Sequence, residues 1–184
     1  MLRITGGNAL IDANLIVLKA NICENMRIAD LGCGATGHFV FPIAHVVGKK
    51  GKVYAIDILK TVLENVDKRK KQENADNVET IWSDLELFGA TKIESNSIDV
   101  ALLINTLYLS GKRKEIIREA VRLVKKGGIV LVVEWKSIAL PLGPSIEHRV
   151  REDLLKGVSA KLGLELKEEF DAGPYHYGLT FEKL

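Results

Sequence analysis

Val100-Ala101-Leu102-Leu103-Ile104 and Ile129-Val130-Leu131-Val132-Val133 are apolar runs of strand length with no polar position in them. A strand wetted on one side alternates, whereas a run like these needs cover on both faces, the condition met in parallel sheets flanked by helices. Along the rest of the chain, strand-length apolar clusters alternate with amphipathic helix-length stretches. Strands are predicted over 27–30, 52–57, 78–82, 98–104, 128–134, 164–170 and 178–183. Helices are predicted over 12–20, 39–47, 59–72, 110–124 and 147–162. Ser110 reads as the cap of the fourth helix, and Lys125-Lys126-Gly127-Gly128 as its stop. Residues 171–177 are too few for a crossover helix, so the last two strands must run antiparallel. The fold class is therefore α/β, a doubly wound, mostly parallel sheet of seven strands with helices on both faces.

At 184 residues the chain fits one domain, 1–184, and no repeat, linker or low-complexity segment divides it. Its 47% hydrophobic and 27% charged residues are ordinary globular values, and a net charge of +2 makes no case for nucleic acid. Met1-Leu2-Arg3-Ile4-Thr5-Gly6-Gly7 lacks the pattern of an export signal, and no apolar run approaches the roughly 20 residues of a membrane span. Cys23 and Cys33 form neither a CxxC pair nor a disulfide framework. A cytoplasmic protein, monomer or homodimer, without a membrane partner or a metal-ligand set, is the expectation.

The most informative segment is Ile28-Ala29-Asp30-Leu31-Gly32-Cys33-Gly34-Ala35-Thr36-Gly37, which follows a strand and opens a helix. Its glycines allow a tight turn and close approach of a ligand to backbone. GxGxxG spacing also serves dinucleotide enzymes, so the charge beside it matters. Asp30 would repel a pyrophosphate but can hold an ammonium, which favours an amino-acid-bearing cofactor such as S-adenosylmethionine. A P-loop fails because His38-Phe39 stand where Lys and Ser/Thr are required. Asp57 ends the second strand, about 20 residues beyond the last glycine, where a carboxylate can accept from both ribose hydroxyls. Ile58 follows and can press on the adenine face. Asp84, with Leu85 after it, ends the segment 78–84 just beyond the third strand, at a place suited to the adenine amino group.

Asp30-Leu31-Gly32-Cys33-Gly34, Gly51-Lys52-Val53-Tyr54-Ala55-Ile56-Asp57 and Leu123-Val124-Lys125-Lys126-Gly127-Gly128 together resemble the class I, Rossmann-like methyltransferases that use S-adenosylmethionine. Within that superfamily the chain is most similar, from about Asp12 to Leu184, to the small methyltransferases related to those of ubiquinone and menaquinone biosynthesis. The resemblance implies strand order 3-2-1-4-5-7-6 with the seventh strand antiparallel, and S-adenosylhomocysteine as product. It places Asp30, Gly32, Cys33, Gly34 and Gly37 around the methionine part, Asp57 at the ribose, Asp84 at the adenine, and Asn105-Thr106 beside the sulfonium. The chain departs from its relatives at Leu107-Tyr108, where they often carry histidines, which weakens any base at that point. No Asp/Asn-Pro-Pro-Tyr signature follows the fourth strand, which argues against methylation of exocyclic base amines.

Ligands of open α/β sheets bind outside the carboxyl ends of the strands. That edge carries 105–109, 134–148 and the turn 173–177, with 135–145 as a natural lid. Trp135, Tyr108 and Tyr175 could line an aromatic acceptor pocket, or Trp135 could simply pack under the lid. The catalytic candidates are Tyr108, Glu134, His148, Arg149 and His176, as bases or anchors for an anionic acceptor. Each also has a bland alternative as a structural or surface group, Glu134 as a strand-end acid facing water. The basic clusters 49–52 and 68–71 read as solvated faces without interleaved aromatics, which disfavours an RNA acceptor without closing that alternative. The leading expectation is methyl transfer to a small-molecule acceptor. An RNA or protein methyltransferase, a non-catalytic cofactor-binding module and an NAD-dependent oxidoreductase are the alternatives.

Overall fold

A computed structural model describes residues 10–139 and 142–184. The amino-terminal stretch read for an export signal, and Leu140-Pro141 of the lid, lie outside the described residues. The order of elements is α1 (Ala13–Lys19), β1 (Arg27–Leu31), α2 (Val40–Val47), β2 (Lys52–Asp57), α3 (Lys60–Glu73), β3 (Val78–Trp82), β4 (Ile98–Ile104), α4 (Arg113–Leu123), β5 (Val124–Trp135), α5 (Glu152–Lys161), β6 (Leu164–Asp171) and β7 (His176–Lys183). Short 3-10 turns occupy Leu107–Leu109 and Ile146–His148. The seven strands form one sheet in the order β3-β2-β1-β4-β5-β7-β6, with β7 antiparallel to both its neighbours. This is the expected topology.

The two unbroken apolar runs occupy the centre of the sheet, and their alternate residues feed two separate cores. Leu102, Ile104, Leu131 and Val133 pack with Ile16 of α1, Ile43 of α2 and Val66 of α3. Ala101, Leu103, Val130 and Val132 pack with Ile117 and Ala120 of α4 and Leu155 of α5. Each buried Leu or Ile of this kind contributes about 1.5–3 kcal/mol of transfer free energy, which is why a polar interruption of either run is not tolerated.

Four boundaries differ most from the sequence reading. Helix α4 begins at Arg113, not Ser110; the Ser110 hydroxyl instead accepts from Lys112 N at 2.8 Å and donates to Glu86 at 2.6 Å. The same helix ends at Leu123, because Val124 already pairs with Ile98 of β4, and the lysines and Gly127 (φ +73°) open strand β5. The last helix starts at Glu152: Arg149, Val150 and Arg151 are taken out of the helix by contacts described below. Strand β7 begins two residues earlier than expected because β5 runs on to Trp135, which pairs with His176.

Candidate active site at the carboxyl edge of the sheet

Parallel strands deliver their carboxyl ends to one edge, and there a cavity of about 720 Å³ opens between the loops after β1, β2, β3 and β4. Gly32, Cys33, Gly34, Asp57, Ile58, Asp84, Leu85 and Asn105 all line it. The cavity therefore brings together most of the residues singled out for the cofactor. Asp30 and Gly37 do not contribute to its wall. Asp30 lies beneath the glycine turn, 1% exposed, and Gly37 packs against the Phe41 ring.

The glycine turn is set by neighbours on both sides. Gly32 N and Cys33 N donate to Ile56 O of β2 at 2.8 and 3.0 Å. On the other side Thr106 donates from Oγ1 to Leu31 O at 2.9 Å, and a Cβ on Gly32 would stand 2.6 Å from that hydroxyl. Gly32 is thus required by packing as well as by its φ of +91°. Gly34 (φ +67°) faces open space, where a side chain would intrude on a ligand.

The acids after the next two strands are held by local backbone. Asp57 accepts from Gly34 N at 3.3 Å and from Leu59 N at 2.9 Å, which links the first and second loops. Asp84 accepts from Glu86 N at 2.9 Å. Trp82 donates from its indole to Ile58 O at 2.7 Å, fixing the loop whose apolar side chains, Ile58 and Leu59, border the cavity. Burial, reinforced by the charge of Asp57, pushes the Asp30 carboxyl up to about 7, and its Oδ2 has no partner among the described residues. An unpaired buried carboxyl is costly unless a ligand completes it. Burial, with Asp30 and Asp57, drives the Cys33 thiol far up, so it remains an uncharged filler.

The catalytic candidates are not gathered around this cavity. Arg149 is 6% exposed, and its guanidinium donates to Lys136 O (2.9 Å), Pro144 O (2.9 Å), Leu142 O (3.1 Å) and Ile138 O. It pins the loop after β5. His148 is exposed and accepts or donates to Ser145 Oγ at 2.8 Å. Glu134 does not face water: it is fully buried, accepts from Leu107 N at 2.7 Å, and its Oε2 has no partner among the described residues. Burial pushes it up to about 7 against the pull of the Leu107 and Tyr108 N–H groups. Burial and Glu134 also raise the Tyr108 phenol. None of Trp135, Tyr108 and Tyr175 lines the cavity; Trp135 packs under the loop, with Gly143 against its ring.

Sequence reasoning missed two features. The side of the cavity towards β4 and α4 is closed by Leu109 and Ile116, the second assigned only to a core face. The other is a polar cluster across β4, β5 and β7. His176 was read as a turn residue but is fully buried at the start of β7, its ring 4.2 Å from that of Trp135 and its Nε2 3.0 Å from Asn105 Nδ2. Only the β5–β7 pairing, invisible without the register, signals it.

A doubly wound sheet in this order, with a glycine turn over a buried acid and further acids after the next two strands, defines a class I S-adenosylmethionine-dependent methyltransferase. The family model described as a methyltransferase domain matches residues 22–170. The chain belongs to that family, whose cofactor is S-adenosylmethionine. A demethylmenaquinone methyltransferase of Lactococcus lactis is 30% identical over 117 residues, 64% of this chain and 45% of that protein. The arsenite methyltransferase of Homo sapiens is 30% identical over 125 residues, 64% of this chain and 33% of that protein. The chain thus spans half or less of these curated relatives. In fold it is similar to an S-adenosylmethionine-dependent methyltransferase from Aquifex aeolicus, with a TM-score of 0.87 at 22% identity over 96% of this chain and 92% of that one.

Proposed function

We propose that the chain transfers a methyl group from S-adenosylmethionine to a small, largely apolar acceptor. One observation carries the reading: the cavity at the carboxyl edge is lined by Gly32, Gly34, Asp57, Asp84 and Asn105, each from a different turn of the chain or from the glycine loop itself. Bound there, S-adenosylmethionine supplies a methyl carbon already activated by its sulfonium. Asp57 would accept from the ribose hydroxyls, and Asp84 from the adenine amino group, with Ile58 and Leu85 against the ring. Asp30, beneath the glycine turn and outside the cavity wall, would favour the ammonium through its charge rather than by direct contact. A dinucleotide would bring its pyrophosphate against this same buried acid, which disfavours the oxidoreductase reading.

Beyond placement, the protein has little to do. Holding the acceptor atom in line at near-attack distance supplies about 7–11 kcal/mol, and a base is needed only where the acceptor must lose a proton. A small acceptor is supported by the relatives, whose names give demethylmenaquinone and arsenite, and by the apolar wall of Leu59, Val62, Ile104 and Leu109. Arsenite itself is the weaker choice, since soft metalloids want thiolates, Cys33 is held as a buried thiol, and the exposed Cys23 precedes β1, at the end of that strand away from the cavity. An RNA acceptor is disfavoured because Lys49, Lys50 and Lys52 lie at the amino end of β2, opposite to Asp57 and the cavity.

Calorimetric titration with S-adenosylmethionine tests the proposal. Asp57→Ala is expected to weaken binding by about 1.5–3 kcal/mol, the loss of a charged hydrogen bond. An affinity equal to that of the unmodified chain removes Asp57 from the ribose.

A further inference from the structure

Within the basic run 68–71 of α3, Arg69 is turned back onto the molecule rather than left in solvent. Its Nη1 donates to Thr36 O of the glycine loop at 2.8 Å, and its Nε donates to Glu73 at 2.6 Å. The guanidinium carbon lies 4.2 Å from the centroid of the Phe41 ring. That same ring is what a Cβ on Gly37 would strike, at 2.9 Å. One planar group thus meets a carboxylate, an aromatic ring and a backbone carbonyl, a combination open to a guanidinium and not to an ammonium. The stretch 34–36 of the loop is exposed and in need of such a hold. Gly32 N and Cys33 N are fixed by Ile56 O, and Gly34 N by Asp57. Thr36, which lines the cavity, is anchored through its carbonyl to α3 instead.

Resting on the proposed mode of cofactor binding, the geometry points to Arg69 as a positioning residue for the amino-acid tail of S-adenosylmethionine: it clamps the glycine loop, by Thr36 O, to the helix that follows Asp57. Helix α3 begins at Lys60, directly after the acid that would hold the ribose. The loop whose glycines would surround the tail is therefore tied to that acid twice, once by Gly34 N on Asp57 and once through Arg69. Arg69 itself does not line the cavity, so it acts through the loop and not on the ligand. A loop held in place before binding spares the ligand the cost of ordering it. The benefit falls on the part of the ligand that lies against the loop, and not on the adenine and ribose.

The test is calorimetry on the whole chain with S-adenosylmethionine and with methylthioadenosine, which keeps adenine, ribose and sulfur but lacks the amino-acid tail. Arg69→Met keeps the stem and suits a helix. Because the arginine side chain is 39% exposed, screening keeps the effect modest, and affinity for S-adenosylmethionine should fall by roughly three- to tenfold. Affinity for methylthioadenosine should stay within about twofold of the original. Arg69→Lys, which keeps the charge but not the planar fork, should bind S-adenosylmethionine within about twofold of Arg69→Met. Hydrogen exchange reads the clamp without a ligand: Gly34 N and Gly37 N, bonded to Asp57 and to Gly34 O, should exchange faster in Arg69→Met while α3 keeps its protection. Equal losses for both ligands would make Arg69 a support of the fold alone. Unchanged or tighter binding of S-adenosylmethionine would show that the loop needs no clamp, and recovery in Arg69→Lys beyond that range would assign the effect to charge. Each of these overturns the inference. If methylthioadenosine binds too weakly to titrate, exchange decides, and unaltered rates at Gly34 and Gly37 overturn it. If the unmodified chain does not bind S-adenosylmethionine, the proposed function falls and this inference with it; if it binds and Arg69→Met binds equally well, only the inference falls.

Discussion

In the role proposed for it, Asp30 carries two competing demands, one from folding and one from the ligand. Burial, with help from the charge of Asp57, raises its carboxyl from 3.8 to about 7. The folded chain consequently holds a proton that the unfolded chain releases between those values. Its contribution to stability is fully present below about 4 and is lost as the pH rises through about 7. Binding an ammonium requires the opposite, an ionised carboxylate. Affinity for S-adenosylmethionine should therefore climb with pH up to about 7, approaching tenfold per unit in the acid range, until the ligand's own amine titrates near roughly 8. Calorimetry from about pH 5.5 to 8.5 checks this, and Asp30→Asn should flatten the acid limb. Glu134 is raised to the same region, so a limb that survives in Asp30→Asn would assign the titration elsewhere. The sign of the charge at Asp30 was readable from the sequence. Its burial was not, because the turn above it is held by Thr106, which follows β4 and bonds Leu31 O across 75 residues of chain.

Single side chains also decide how whole elements begin and end. Arg149 draws in the carbonyls of Lys136, Ile138, Leu142 and Pro144, so the loop after β5 folds around a guanidinium rather than around its own backbone. The extended Arg149–Arg151 segment that results postpones α5 to Glu152, while the Tyr177 hydroxyl holds Val150 O at 2.7 Å. Periodicity placed this helix correctly but extended it five residues too far towards the amino end, since nothing local marks an arginine as buried. Arg149→Met keeps the stem and removes the donors. Each carbonyl left without a partner costs about 1–3 kcal/mol where water cannot reach it. Hydrogen exchange should quicken through 136–139 and 142–150 while β1–β4 stay protected, and the thermal midpoint should drop. A uniform loss of protection across the sheet would show instead that Arg149 supports the global fold. Helix α4 illustrates the same rule at its other end: Glu119, fully buried, accepts from Gly89 N, Thr91 N and Arg122, and so fixes the loop that follows Asp84 and Leu85.

Across the whole molecule, the sheet was legible because its evidence is local and redundant. Two unbroken apolar runs required cover on both faces, and the short connection before β7 fixed its direction. That the residues proposed for the cofactor meet at one edge was legible for a related reason, since Gly32, Asp57 and Asp84 lie at or just beyond the carboxyl ends of parallel strands and topology alone collects such ends. The burial of the candidate catalytic and acceptor groups was not, because Trp135, His176 and Glu134 owe it to the β5–β7 register and to the loop tied by Arg149. One consequence concerns the chain as a cooperative unit. Groups assigned to the cofactor come from the loops after β1, β2, β3 and β4, so a bound molecule should stabilise the fold as a whole. At a ligand concentration of 100 Kd the gain is about 2.7 kcal/mol. For a domain of this length it corresponds to roughly 5–11 °C in Tm. Asp57→Ala, with the 1.5–3 kcal/mol loss expected of it, should retain only about 0.3–1.3 kcal/mol at the same concentration. NADH should leave the midpoint where it was. A shift produced by NADH and not by S-adenosylmethionine would transfer the glycine turn to a dinucleotide and, with it, the chemistry of the entire edge.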